Sequence, residues 1–183
     1  MINCSKLLQS TETLKEIKRY SSIEKETPKW MLRFSKTASP MVVWNTTRKC
    51  NLRCAHCYIN AVGEESEEDA GELTTKEAMN MIDDLAAIKS PMLVFSGGEP
   101  LLRNDIYELN VYAMKLGLRT ILSSNSTLIT RDAAKKIKEA GFAYVGVSLD
   151  GSGEAHDRFR GAKGAFEKSL QGLRFLMEEG VRT

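Results

Sequence analysis

A chain of 183 residues, 42% hydrophobic and 27% charged, is long enough to bury a real core, as one domain or as part of a larger one, and reads as soluble and globular. Lys and Arg number 26 against 24 Asp and Glu, a net of +2 with neutral histidines, so nothing in the charge balance calls for nucleic acid. The polar, charge-broken N-terminus MINCSKLLQSTETLKEIKRY excludes a signal peptide, and no apolar run approaches the ~18–20 residues of a membrane span, so no membrane partner and a cytoplasmic location are expected.

Residues 1–40 read as a leader. Leu7, Leu8, Leu14 and Ile17 have a loose helical spacing, and ETPKW and TASP then bring prolines and turn chemistry, which predicts a helix and a linker. From Met41 the pattern alternates short apolar runs with longer amphipathic ones. MVVWNTT predicts a buried strand. ELTTKEAMNMIDDLAAIKS predicts a helix, with Thr74 and Glu77 spaced as a capping box. PMLVFSG is a second strand, and DIYELNVYAMKLG a helix begun at Asn104 and stopped by Gly117. LRTILSSN is a third strand, and RDAAKKIKEAG a helix with Gly141 at its end. FAYVGVSLDG is a fourth strand, AFEKSLQGLRFLMEEG a fourth helix, and at VRT a fifth strand is expected to start.

This alternation predicts an α/β fold of right-handed βαβ units on a parallel sheet, with apolar strands buried on both faces. Chemistry in such folds gathers at the carboxyl ends of the strands. The unusual segments fall there: CNLRCAHCY after the first strand, SGGEP after the second, SSNSTL after the third, and the loop SLDGSGEAHDRFRG after the fourth.

Cys50, Cys54 and Cys57 form a CxxxCxxC cluster, with Arg48, Lys49 and Arg53 nearby to favour thiolates. In a reducing compartment such a cluster reads as metal-binding or catalytic. Three thiolates can hold three irons of a four-iron, four-sulfide cluster and leave the fourth iron open. Adding His56 gives a nominal Cys3His set for zinc, although zinc ligands usually come in two separated pairs. In SGGEP, Gly97 and Gly98 let the backbone approach a ligand and Glu99 supplies an acceptor suited to an ammonium group; a plain turn before a helix is the alternative. Asn125, Ser148 and Asp150 are suited to ribose or amino-acid groups, or else to caps and turns. Arg158 or Arg160 could clamp a carboxylate, though surface pairing is the commoner fate of an arginine.

In this order, CNLRCAHCY, SGGEP, SSNSTLI, and VSLDG followed by HDRFRG resemble the radical S-adenosylmethionine (SAM) enzymes over residues 41–183. The resemblance implies a partial parallel (β/α) barrel of about four βα units with an open edge. It also implies a [4Fe-4S] cluster on Cys50, Cys54 and Cys57, with SAM on the fourth iron. Electron transfer into the sulfonium would release methionine and a 5′-deoxyadenosyl radical that takes hydrogen from the substrate. By position, His56 lies near the adenine, Gly97, Gly98 and Glu99 meet the SAM amino group, Asn125 and Ser148 are polar contacts, and Arg160 meets the SAM carboxylate. Relatives commonly carry glycine where this chain has Ser126, which puts close backbone approach there in question.

Within that family the leader and the stretch LRFSKTASPMVVWNTTRKCNLRCAHCY look like the tetrapyrrole-modifying branch, above all the didecarboxysiroheme deacetylases. This implies a tetrapyrrole substrate and an electron donor such as a ferredoxin or flavodoxin. Peptide maturation is the alternative within the wider group, and a non-catalytic metal-binding fragment the alternative outside it. Four βα units against the family's usual six imply an N-terminal portion of a longer core. Cys4 is expected to be a buried leader residue rather than a cluster ligand.

Overall fold

The computed structural model describes residues 39–66 and 71–183. The predicted leader helix, most of the linker and Cys4 lie outside the described residues.

Four parallel strands form the main sheet: β1 (Val42–Asn45), β4 (Leu93–Ser96), β5 (Thr120–Ser124) and β6 (Tyr144–Val147), in that spatial order. Their register aligns Val43 with Val94, Val94 with Ile121, and Ile121 with Tyr144. Residues two apart share a face. Leu93, Phe95, Leu122 and Val145 are therefore buried together under the helices α1 (Thr75–Ala87), α2 (Ile106–Lys115), α3 (Arg131–Ala140) and α5 (Ala165–Glu178). Those helices contribute Ile82, Leu109, Ile137 and Leu176 at helical spacing. The expectation of burial on both faces holds for this face only. On the other, Val43 is 61% exposed and Val94, Ile121 and Tyr144 are partly so.

Local signals set the helix ends. The Thr74 hydroxyl accepts from the Glu77 amide and the Glu77 carboxylate accepts from the Thr74 amide, the reciprocal box read from the sequence. Gly141 ends α3 in the left-handed region at φ 82°. Helix α2 begins at Ile106 rather than at Asn104, with Asp105 as its cap. The Asp105 carboxylate does not cap the helix, because Arg103 (2.6 and 2.9 Å) and the Thr75 hydroxyl (2.7 Å) donate to it. At the C-terminus the Val145 amide donates to the Arg182 carbonyl at 2.8 Å, so the VRT segment already pairs with β6 where a further strand was expected.

Two features depart from the sequence reading. The short strands β2 (Lys49–Cys50) and β3 (Val62–Gly63) pair in parallel and pin both ends of the cysteine loop. The segment predicted as a loop after β6 contains a helix, α4 (Glu154–Arg160). Its two buried members, His156 and Arg160, stand four apart on one face, a helical signal hidden by the glycines around it.

Candidate active site

A cavity of about 570 Å³ opens at the carboxyl ends of β1, β4, β5 and β6. Its wall includes all three clustered cysteines, His56, Gly97 and Gly98. Asn125, Ser148, Asp150 and Arg160 complete the set from the two following strand ends. Of the residues that the resemblance assigns to the cluster or to SAM, Glu99 alone is absent from the wall, and Arg158 and Ser126 also lie outside it.

The cysteine loop is held by helix α4. The last carbonyls of a helix have no partner within it. Those of Phe159 and Arg160 accept from the amides of Ala55 (2.8 Å) and Arg53 (3.1 Å). Gly161 permits the contact, since a Cβ there would lie 2.4 Å from the Arg53 carbonyl oxygen. The rest of HDRFRG has equally local work. His156 Nδ1 accepts from the Asp150 amide at 3.2 Å, and Asp157 accepts from the amides of Gly164 and Phe166 at the start of α5.

Each sulfur receives an N–H group. Cys50 Sγ accepts from the Leu52 amide (3.4 Å) and Asn125 Nδ2 (3.9 Å), and Cys57 Sγ from the Ala61 amide (3.4 Å). Cys54 Sγ accepts from Arg160 Nη1 at 3.5 Å. The neighbouring basic residues were expected to favour thiolates. At Cys50 burial dominates and pushes the thiol up, while Arg48 donates to the Asn60 carbonyl instead.

Among the described residues no group of three or more His, Cys, Asp and Glu side chains is arranged to hold one metal ion. His56 stacks on Phe159 with ring centroids 4.5 Å apart, so the Cys3His zinc arrangement is not formed. A four-iron cluster is a larger body whose ligands stand further apart than those of one ion. Three sulfurs on one cavity wall, each with an N–H donor, fit such a group.

The glycines of SGGEP lie against the protein's own main chain, that of Thr46–Lys49. The Gly98 amide donates to the Thr47 carbonyl (2.8 Å) and the Glu99 amide to the Lys49 carbonyl (2.9 Å), which seats this turn on the strand leading into the cysteines. Glu99 departs from its expected place: it is fully buried. Its carboxylate accepts from the Asn125 amide (2.8 Å), the Ser124 hydroxyl (2.9 Å) and the Leu101 amide (3.2 Å). It therefore fixes Asn125 from behind the wall.

Burial pushes the Glu99 carboxyl from its ordinary 4.5 up to about 7, against the pull of those donors. The folded chain thus holds this proton more tightly than the unfolded one. The stability tied to it is present below about pH 4.5 and is lost as pH rises through about 7. We predict that the urea midpoint falls between pH 5 and pH 8 and that Glu99→Gln flattens this slope; an unchanged slope contradicts the assignment.

Asn125 Oδ1 accepts from the amide (2.9 Å) and hydroxyl (2.7 Å) of Thr127, which orients Nδ2 toward Asn51 Oδ1 (3.0 Å) and Cys50. Ser126 adopts φ 65°, a left-handed conformation that disfavours residues with a Cβ. Its backbone packs closely against helix α5 rather than lining the cavity. The Ser126 hydroxyl donates to the Ser169 carbonyl, and the Ser169 hydroxyl donates to the Asn125 carbonyl, both at 2.8 Å. Gly172 supplies the space: a Cβ there would stand 2.3 Å from the Ser126 carbonyl oxygen. Gly172→Ala should cost about 2–3 kcal/mol by overpacking, read as a lowered urea midpoint.

Arg160 also differs from the expected carboxylate clamp. Its Nη2 pairs with Asp150 at 2.6 Å and its Nη1 reaches Cys54, so two of three nitrogens are engaged. Arg158 is exposed. Sequence reading did not single out Tyr58, whose hydroxyl donates to Asn45 Oδ1 at 2.8 Å on the cavity rim, or Arg103, which lies 5.1 Å over Trp44. Only the position of Tyr58 next to Cys57 could have drawn attention to it.

Comparison with known proteins agrees with this geometry. The Radical SAM superfamily model matches residues 44–183. The chain is 50% identical over 182 residues to an Fe-coproporphyrin III synthase of Methanosarcina barkeri, covering 100% of this chain and 45% of that protein. It is 47% identical over 145 residues to an AdoMet-dependent heme synthase of Oleidesulfovibrio alaskensis, covering 79% of this chain and 37% of that one. The chain thus spans less than half the length of these relatives. The crystal structure of Streptococcus suis SuiB bound to its precursor peptide SuiA superposes with a TM-score of 0.66 at 17% identity, over 79% of this chain and 32% of that one. This last likeness concerns the fold alone.

Proposed function

Since this chain belongs to the radical SAM superfamily, we propose that Cys50, Cys54 and Cys57 bind a [4Fe-4S] cluster and that SAM completes the coordination of its fourth iron. The observation that carries this is the gathering of all three sulfurs on one cavity wall with the ends of three further strands. When bound, the pair supplies reductive cleavage of the SAM sulfonium and with it the power to take a hydrogen atom from an unactivated carbon.

The protein's part is binding and orientation. Helix α4 fixes the cysteine loop through the Phe159 and Arg160 carbonyls. The main chain of Gly97 and Gly98 borders the cavity where the methionyl ammonium would be received, with Glu99 anchoring the floor beneath. Asn125 and Ser148 offer polar contacts to the methionyl or ribose groups, and the His56–Phe159 stack forms an aromatic platform suited to the adenine. Residues 41–183 would constitute the cofactor-binding portion of the core.

The substrate reading rests on the relatives. Two proteins 47–50% identical to this chain are named for tetrapyrrole chemistry, which favours modification of an iron tetrapyrrole over a peptide. A low-potential ferredoxin or flavodoxin would supply the electron. Among the described residues no helix is long and apolar enough to cross a membrane, in keeping with a cytoplasmic site of action.

The test is anaerobic reconstitution, reduction by dithionite with SAM, and measurement of 5′-deoxyadenosine with and without a carboxylated iron tetrapyrrole or a peptide. Product raised by the tetrapyrrole and not by the peptide is expected. The reverse pattern would transfer the reading to peptide maturation, and zinc in place of iron would overturn both.

A further inference from the structure

We infer that Arg160 is a positioning residue for the cysteine-bound cluster: Asp150 and His156 hold its guanidinium against the Cys54 sulfur, and the balance of the Arg160 and Asp150 charges sets how readily the cluster takes an electron. This rests on the radical SAM reading and deepens it.

The asymmetry of the three sulfurs points to it. Cys57 accepts from a main-chain amide, and Cys50 from a main-chain amide and a neutral side-chain amide. Among the described residues Cys54 alone accepts from a charged group, at 3.5 Å. The Arg160 side chain is 8% exposed, so its charge is poorly screened by water. Asp150 stands 2.6 Å from Nη2 and is 27% exposed. Its backbone amide is fixed by Nδ1 of His156, which is fully buried, and the buried Glu99 carboxyl is a further ionisable group that acts on Arg160, unchanged in every variant compared below. Nε of Arg160 has no partner among the described residues. The guanidinium is thus held at two points, one anionic and one at the prospective metal ligand.

A positive charge at a cluster sulfur favours the added electron, and the Asp150 carboxylate opposes it from farther away. The two groups should therefore act in opposite directions, whereas a merely structural role would disturb both variants alike. Reduction here adds one electron, supplied in the test by dithionite, with no bond made or broken.

The experiment is a redox titration of the reconstituted chain, followed by electron paramagnetic resonance without SAM, for the wild type, Arg160→Gln, Arg160→Lys and Asp150→Asn. At a fixed potential, Arg160→Gln should lower the ratio of reduced to oxidised cluster about tenfold, equivalent to ~59 mV for one electron. Asp150→Asn should raise that ratio, and Arg160→Lys, which keeps the charge, should move it less than Arg160→Gln. Unshifted ratios, or shifts of Arg160→Gln and Asp150→Asn in the same direction, overturn the inference. If Arg160→Gln takes up no iron, Asp150→Asn decides alone, and an unchanged or lowered ratio overturns it. A wild type without a cluster overturns the radical SAM reading and this inference with it, whereas a wild-type cluster with unshifted variants overturns this inference alone.

Discussion

Cys54→Ala should abolish 5′-deoxyadenosine release from the reconstituted, reduced chain and leave its iron content far below the wild type. Cys54 sits mid-loop, between the Arg53 and Ala55 amides that donate to α4. It is only half-buried, and it contributes no strand pairing. Its removal therefore spares the loop's attachment and should change folding stability by about 1 kcal/mol or less. On the proposed reading, what is lost is one of three ligands, and with it the geometry that would leave a single iron open. Unchanged circular dichroism with lost iron and lost product is the expected combination. Retained product would remove this cysteine from the site.

The second large effect concerns a residue with no chemistry of its own. A Cβ on residue 98 would stand 2.2 Å from the Lys49 carbonyl oxygen and 2.7 Å from its carbon. Both belong to main chain that accepts from Glu99 and leads directly into Cys50, so they cannot retreat as a flexible side chain would. Gly98→Ala must part the SGGEP turn from the Thr47–Lys49 segment and break the bonds at 2.8 and 2.9 Å. The cost should be about 3–5 kcal/mol, a large share of a typical ~5–15 kcal/mol total. Gly164→Ala is the control: its backbone at φ 78° and ψ 8° is left-handed, which that of Gly98 is not, but nothing lies within 4 Å. It should cost only about 1 kcal/mol. Urea midpoints of the two variants make the comparison, and iron uptake should fall in Gly98→Ala although every cysteine remains. Equal midpoints would mean that the close approach carries no energetic weight.

The long helices and the four main strands were legible because apolar period and caps act locally: Thr74 with Glu77, and Gly141, behave in the fold as their spacing indicates. The cysteine loop was legible because its three thiols lie within a few residues of one another. Helix α4 was not, because seven residues between glycines carry too little period. Glu99 and Arg160 show a different limit. Residue type marked both as groups suited to a charged ligand, yet the fold gives Glu99 to the amide of Asn125 and Arg160 to Asp150 and Cys54. Those partners lie 10 or more positions away in sequence, and no local pattern encodes them. Ser126 is similar: the compensating partner of a strained serine is a glycine on another helix.

The most direct test of the central claim, that three cysteines leave one iron for SAM, is electron paramagnetic resonance of the reduced, reconstituted chain before and after SAM is added. The account predicts a four-iron signal whose shape changes on SAM addition, because a ligand arrives at the open iron. A signal indifferent to SAM would contradict it.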